Sequence, residues 1–151
     1  MKTTARVFLL ALVLIICTST AWASNPPIQG SVSGIELCPQ YICGAAIFTG
    51  SFHGLFGNNP NAFGSITAVL THQDLPPDNL CSFITGGSWE LKTLLRRAGG
   101  TAEYGGTICN NADGTFNIHA ILDLSGGGGT VTFDGKLNHN TPIPTFGGFL
   151  H

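Results

Sequence analysis

Residues 115–139 constrain the fold more than any other stretch of this chain. Phe116, Ile118, Ala120, Leu122 and Leu124 alternate with Asn117, His119, Ile121 and Asp123. Val131, Phe133, Gly135, Leu137 and His139 alternate in the same way with Thr130, Thr132, Asp134, Lys136 and Asn138. A period of two belongs to an extended strand, whose successive side chains face opposite sides. Between the two segments, Ser125-Gly126-Gly127-Gly128-Gly129 reads as a flexible hairpin connection. Two half-buried strands joined by so short a link pair antiparallel.

The same pattern recurs upstream. Asn110-Asn111-Ala112-Asp113-Gly114 is a turn between residues 107–109 and 115–124, and 31–37, 45–56, 64–72, 82–91 and 101–109 are further extended segments. About seven or eight strands at short intervals predict an all-β fold, a small antiparallel barrel with a β-sandwich as the alternative. An internal echo favours the barrel. Phe48-Thr49-Gly50-Ser51-Phe52-His53 matches Phe133-Asp134-Gly135-Lys136-Leu137-Asn138-His139 in its Phe-x-Gly-x-apolar core. Glycine inside a strand allows sharp bending or lets an aromatic ring lie over the backbone, devices suited to a closed, strongly curved sheet.

Residues 88–99 conflict with that pattern. Ser88, Glu90, Arg96, Arg97 and Gly99 stand where a helix would have its cap, first-turn acid, last-turn bases and stop. Trp89, Leu91 and Thr93 nevertheless alternate with Glu90 and Lys92, so 89–93 is expected as strand, and 94–98 as its continuation or one helical turn. The run Gly99-Gly100-Thr101-Ala102-Glu103-Tyr104-Gly105-Gly106 resembles the glycine-rich strands of dirigent-type and allene oxide cyclase-type barrels. The likeness covers these eight residues and carries no activity or site with it.

The N-terminus has the pattern of a leader. Lys2 and Arg6 precede an apolar run from Val7 to Cys17, and Ala21-Trp22-Ala23 places small residues where a signal peptidase reads. Cleavage after Ala23 is expected, leaving 24–151 as one all-β domain, secreted or periplasmic. The run is too short to span a bilayer, which takes ~20 apolar residues. Lipid attachment at Cys17 is the alternative, with the bulky Ile16 before it against that reading. Beyond the leader, Lys92, Arg96, Arg97 and Lys136 face eight Asp and Glu, a balance that argues against a nucleic-acid partner. Charged residues are only 9% of the chain, so Ser, Thr, Asn and Gly supply much of the polar surface. Cys38, Cys43, Cys81 and Cys109 then predict two disulfides. Cys38–Cys43 with Cys81–Cys109 is the favoured pairing, because Pro39 and a four-residue spacer suit a local closure. The absence of Cys-x-x-Cys speaks against a redox role.

Histidines are the candidates for chemistry: His53, His72, His119, His139 and His151. No His-x-His, His-Glu-x-x-His or calcium-loop pattern is present, so any site must be assembled by the fold, and whether it takes a metal is left open. His72 follows Ile66, Ala68 and Leu70, and His139 follows Val131, Phe133 and Leu137, which places both at the rim of an apolar interior as strand-ending residues. His119, with Asn117 and Asp123, is expected on a solvent face, as is His53 with Thr49 and Ser51. His72, His139 and His119 are the candidate binding residues. There is no Gly-x-Ser-x-Gly elbow, no phosphate loop and no motif that calls for a cofactor. The function expected is that of an exported, non-catalytic β protein binding a small apolar ligand, a glycan or a surface partner. The alternatives are a histidine-based metal-binding protein or enzyme at the barrel mouth, and a structural component of an envelope or matrix.

Overall fold

The structure, a computed structural model, describes residues 27–74 and 77–151. The expected leader, its cleavage point and Cys17 lie outside the described residues. The strands are β1 (Ile28–Cys38), β2 (Ala46–Phe56), β3 (Asn59–His72), β4 (Cys81–Thr93), β5 (Arg97–Thr101), β6 (Thr107–Asn110), β7 (Thr115–Asp123), β8 (Thr130–Asn138) and β9 (Thr145–Leu150). A short helix, α1 (Gln40–Cys43), joins β1 to β2. Eight strands close into an antiparallel barrel, and β5 is the extra one.

Neighbours around the barrel follow chain order. β1 pairs with β2, β2 with β3, β3 with β4, β4 with β6, β6 with β7, β7 with β8 and β8 with β9, and β9 returns to β1 to close the ring. A meander of this kind needs only short connections, so the spacing of turns in the sequence reflects the topology directly. β5 lies on the same edge of β4 as β6 and reaches β7 through an Ala102–Leu122 bridge. The strand expected over 101–109 is therefore interrupted between Ala102 and Thr107. Gly105, at φ 116°, takes the backbone there through a region that other residues rarely adopt.

Closure needs a narrow interior, and glycine makes room for it. On β1, Gly30 and Gly34 fall in phase with the buried Val32, while on β9 Gly148 falls in phase with the buried Leu150. A Cβ added at Gly34 would stand 2.7 Å from the Phe146 ring, at Gly30 2.8 Å from Phe52, and at Gly148 2.8 Å from Phe133. Large rings thus lie over bare backbone on adjoining strands. Phe146 also meets Phe48 and Phe133 edge-on, with centroids 5.4 and 6.2 Å apart. Phe52, Phe56, Leu91, Leu137 and Leu150 are fully buried.

The 88–99 segment resolves in favour of the strand phase. Trp89 and Leu91 are buried and Trp89 Nε1 donates to the Asp123 carbonyl at 2.9 Å. β4 ends at Thr93 and β5 begins at Arg97. Residues 94–96 form neither a continued strand nor a helical turn but the tip of the β4–β5 hairpin, closed by the Thr93 N–H donating to the Arg96 carbonyl at 2.8 Å. The helix signals lose because Trp89 and Leu91 both need the interior, which a period of two supplies.

Candidate functional site

One end of the barrel is clamped and partly hollow. Both disulfides lie there in the expected pairing: Cys38–Cys43 closes round α1, and Cys81–Cys109 ties the start of β4 to β6. α1 follows Pro39 and ends at Gly44, whose φ of 76° is the left-handed cap conformation and whose N–H donates to the Gln40 carbonyl at 2.7 Å. Gln40 anchors the helix to the end of β3. Its Nε2 donates to the His72 carbonyl and its Oε1 accepts from the His72 N–H, both at 2.7 Å.

Within this frame lies a cavity of about 320 Å3. Phe48, Leu70, Ile84, Ile108, Ile118 and Leu137 form its apolar wall, while Glu36, Gln40, Tyr41, His72, Asp74 and His139 stand round it as the polar complement. The next void inward, bounded by Val32, Ile66, Trp89, Phe133 and Leu150 among others, holds only about 40 Å3. The barrel is thus open at the mouth and packed beneath.

The central polar contact joins Glu36 to His139. The Glu36 carboxylate lies 2.8 Å from His139 Nε2, with the Glu36 side chain 3% and the His139 side chain 24% exposed. Burial pushes the Glu36 carboxyl above its ordinary value, while the charge and hydrogen bond of His139, and more weakly the charge of His72, pull the other way. The Glu36 N–H donates to the Pro144 carbonyl at 2.9 Å, fastening β1 to the loop after His139. The His139 ring also sits 5.1 Å from that of Phe116. β-Bulges shape the mouth: the β1–β2 register shifts between Glu36 and Cys38, and the β3–β4 register between Thr71 and His72. Such insertions re-aim side chains beside a site.

His72 and His139, both expected at the rim, line the same cavity. His139 is more than the end of a strand, because it is the partner of a buried acid. His119 lies elsewhere, on the outer wall. There its Nδ1 is 2.7 Å from Asp134 Oδ1, and His151 Nε2 is 3.2 Å from Asp134 Oδ2. All three side chains of that cluster are about half exposed. His53 is also on the outer wall, stacked on Phe63 with centroids 4.1 Å apart. Among the described residues no group of three or more His, Cys, Asp or Glu side chains is placed to hold a metal.

Glu36, Gln40 and Asp74 are site residues that the sequence reading passed over. The signal for Glu36 was its phase, since Gly30, Val32, Gly34 and Glu36 are one face of β1 and that face is the inner one. Comparison with protein families, with curated proteins and with solved structures finds no match. The geometry of the mouth therefore carries the functional reading.

Proposed function

We propose that this protein is an exported, non-catalytic barrel that binds a small, mostly apolar ligand in the cavity at its disulfide-clamped end, with the ligand's polar end held against Glu36, His139 and His72. The observation that carries this reading is the make-up of the cavity: a wall formed largely of apolar side chains, with Glu36, His72 and His139 among the polar groups round it. Its volume falls at the small end of the ~300–1,000 Å3 range of ligand sites. A glycan would need more hydrogen-bonding groups than this wall offers. The eight barrel strands are each paired on both sides, so among the described residues the short extra strand β5 is the one edge left to the structural-component reading. Export is supported by the leader pattern and by two disulfides, which belong to an oxidising compartment. No described helix is long and apolar enough to cross a membrane.

Titration with the neutral fluorophore N-phenyl-1-naphthylamine tests the reading. Wild type should bind it saturably at one site. Ala46→Phe, which projects a ring from a buried position of the cavity wall, should lose that binding while keeping its melting temperature. Equal binding by both proteins would refute the proposed site.

One contact favours a second reading, an enzyme at the mouth. A buried carboxylate bonded to an imidazole can orient that histidine for proton transfer. On that reading, a ligand recovered with the wild-type protein would be converted by it and not by His139→Gln; recovery of the ligand unchanged from wild type would remove the enzyme reading.

A further inference from the structure

The end of the barrel opposite the cavity carries a surface of different chemistry. At the β4–β5 tip, Leu94 is 96% and Leu95 81% exposed, far more than any core leucine. Exposed leucines alone would say nothing about a partner, but the surrounding charge does. Among the described residues the cations are Lys92, Arg96, Arg97 and Lys136, and all but Lys136 flank these two leucines within one hairpin. Glu90 is the acid of that hairpin, 2.8 Å from Lys92 and 3.1 Å from Arg97. Three cations against one acid leave this tip positive on a chain that is net acidic. The turn is also closed on itself. The Thr93 N–H donates to the Arg96 carbonyl at 2.8 Å, and the Arg96 N–H donates to Thr93 Oγ1 at 3.0 Å. The backbone groups at the base of the tip, the Thr93 and Arg96 N–H and the Arg96 carbonyl, are thus paired within the turn, which lowers the cost of taking that base out of water.

We propose that the Leu94–Leu95 tip docks on an anionic lipid surface, its leucines entering the acyl boundary while Arg96 and Arg97 meet the lipid phosphates. Apolar insertion and electrostatic attraction together are the two signals that peripheral attachment requires. An acidic polymer would use the cations and leave the leucines in water. A second exposed apolar cluster, Tyr41, Ile42 and Ile143 at the mouth, has no lysine or arginine among the described residues that line its pocket. The geometry also leaves the cavity facing away from the lipid.

Sedimentation of the oxidised protein with phosphatidylcholine vesicles, with and without phosphatidylserine, decides the matter. Wild type should bind only the phosphatidylserine vesicles and release in high salt. Leu94→Ser/Leu95→Ser should weaken binding at least about tenfold, from the apolar area withdrawn. Arg96→Gln/Arg97→Gln should weaken it by about fivefold per arginine, and Lys136→Gln should leave it unchanged. All variants should melt like wild type, because the altered side chains are exposed. The proposal is overturned if wild type stays in solution, or if the leucine variant binds as wild type does. It is overturned equally if the leucines affect only self-association, or if Tyr41→Ser/Ile42→Ser abolishes binding instead.

Discussion

The two ends of this barrel solve the problem of a closed sheet differently. At the lower end, where β1 starts and β9 finishes, Phe52, Phe56 and Leu150 fill the space that glycine on adjoining strands leaves free. At the mouth the inward side chains are Leu70, Ile84, Ile108 and Ile118, which leave about 320 Å3 unfilled. The mouth in exchange carries both disulfides, α1 and the Glu36–His139 pair. Packing holds one end; covalent links and hydrogen bonds hold the other. A hollow end that must keep its shape without a packed core is where such links contribute most.

Core truncations, disulfide replacements and a change at Glu36 put this contrast to the test. The largest effect is expected from Phe52→Ala, which empties the packed end and should cost about 3–5 kcal/mol in chemical denaturation. Leu70→Ala, on the wall of an existing cavity, should fall near the lower limit of ~2 kcal/mol for such truncations. Equal costs, after allowance for side-chain size, would mean that the two ends are packed alike.

Next come the disulfides. Cys81–Cys109 closes a sequence separation of 28 and Cys38–Cys43 one of 5. The chain-entropy relation gives about 3.5 kcal/mol for the first and about 2 kcal/mol for the second. Replacing each pair by serine and measuring unfolding tests the order. Loss of the local link should in addition impair probe binding, because it frees α1 at the cavity rim, whereas a merely structural link would change stability alone.

The smallest effect concerns pH. Burial raises the Glu36 carboxyl above its ordinary 4.5 in the folded chain, so the folded state holds that proton more tightly than the unfolded state does. The resulting stability is complete below pH 4.5 and is lost as pH rises through the raised value. Glu36→Gln, neutral throughout, should therefore gain on wild type in melting temperature as pH climbs from 4.5 through the raised value. Parallel melting curves across that window would show that Glu36 is not desolvated.

Much of the packed end was legible in the sequence. Strands with clean alternation, such as β7 and β8, and links made of Gly, Asn and Asp follow from local rules. β9 was not, because Thr-Phe-Gly-Gly-Phe-Leu places glycine on both faces and Phe149 outward, which hides the period of two. β5, Arg-Ala-Gly-Gly-Thr, has no large apolar side chain to reveal its phase. The mouth was legible only in part. His72 and His139 were placed by strand phase, but their common cavity depends on ring closure between β1 and β9, a long-range fact. The His119–Asp134 contact lay closer to hand, since those residues face each other across the β7–β8 hairpin. Glu36 was obscured because Ile35 and Leu37 beside it look like the buried face of β1, whereas Leu37 is 59% exposed.

Methyl NMR of the protein titrated with N-phenyl-1-naphthylamine tests the contrast between the ends most directly. Shift changes should be confined to Leu70, Ile84, Ile108, Ile118 and Leu137, which line the mouth cavity, with Ile28, Leu91 and Val131 unmoved. Changes centred on those three, or on Leu94 and Leu95 at the hairpin tip, would contradict it.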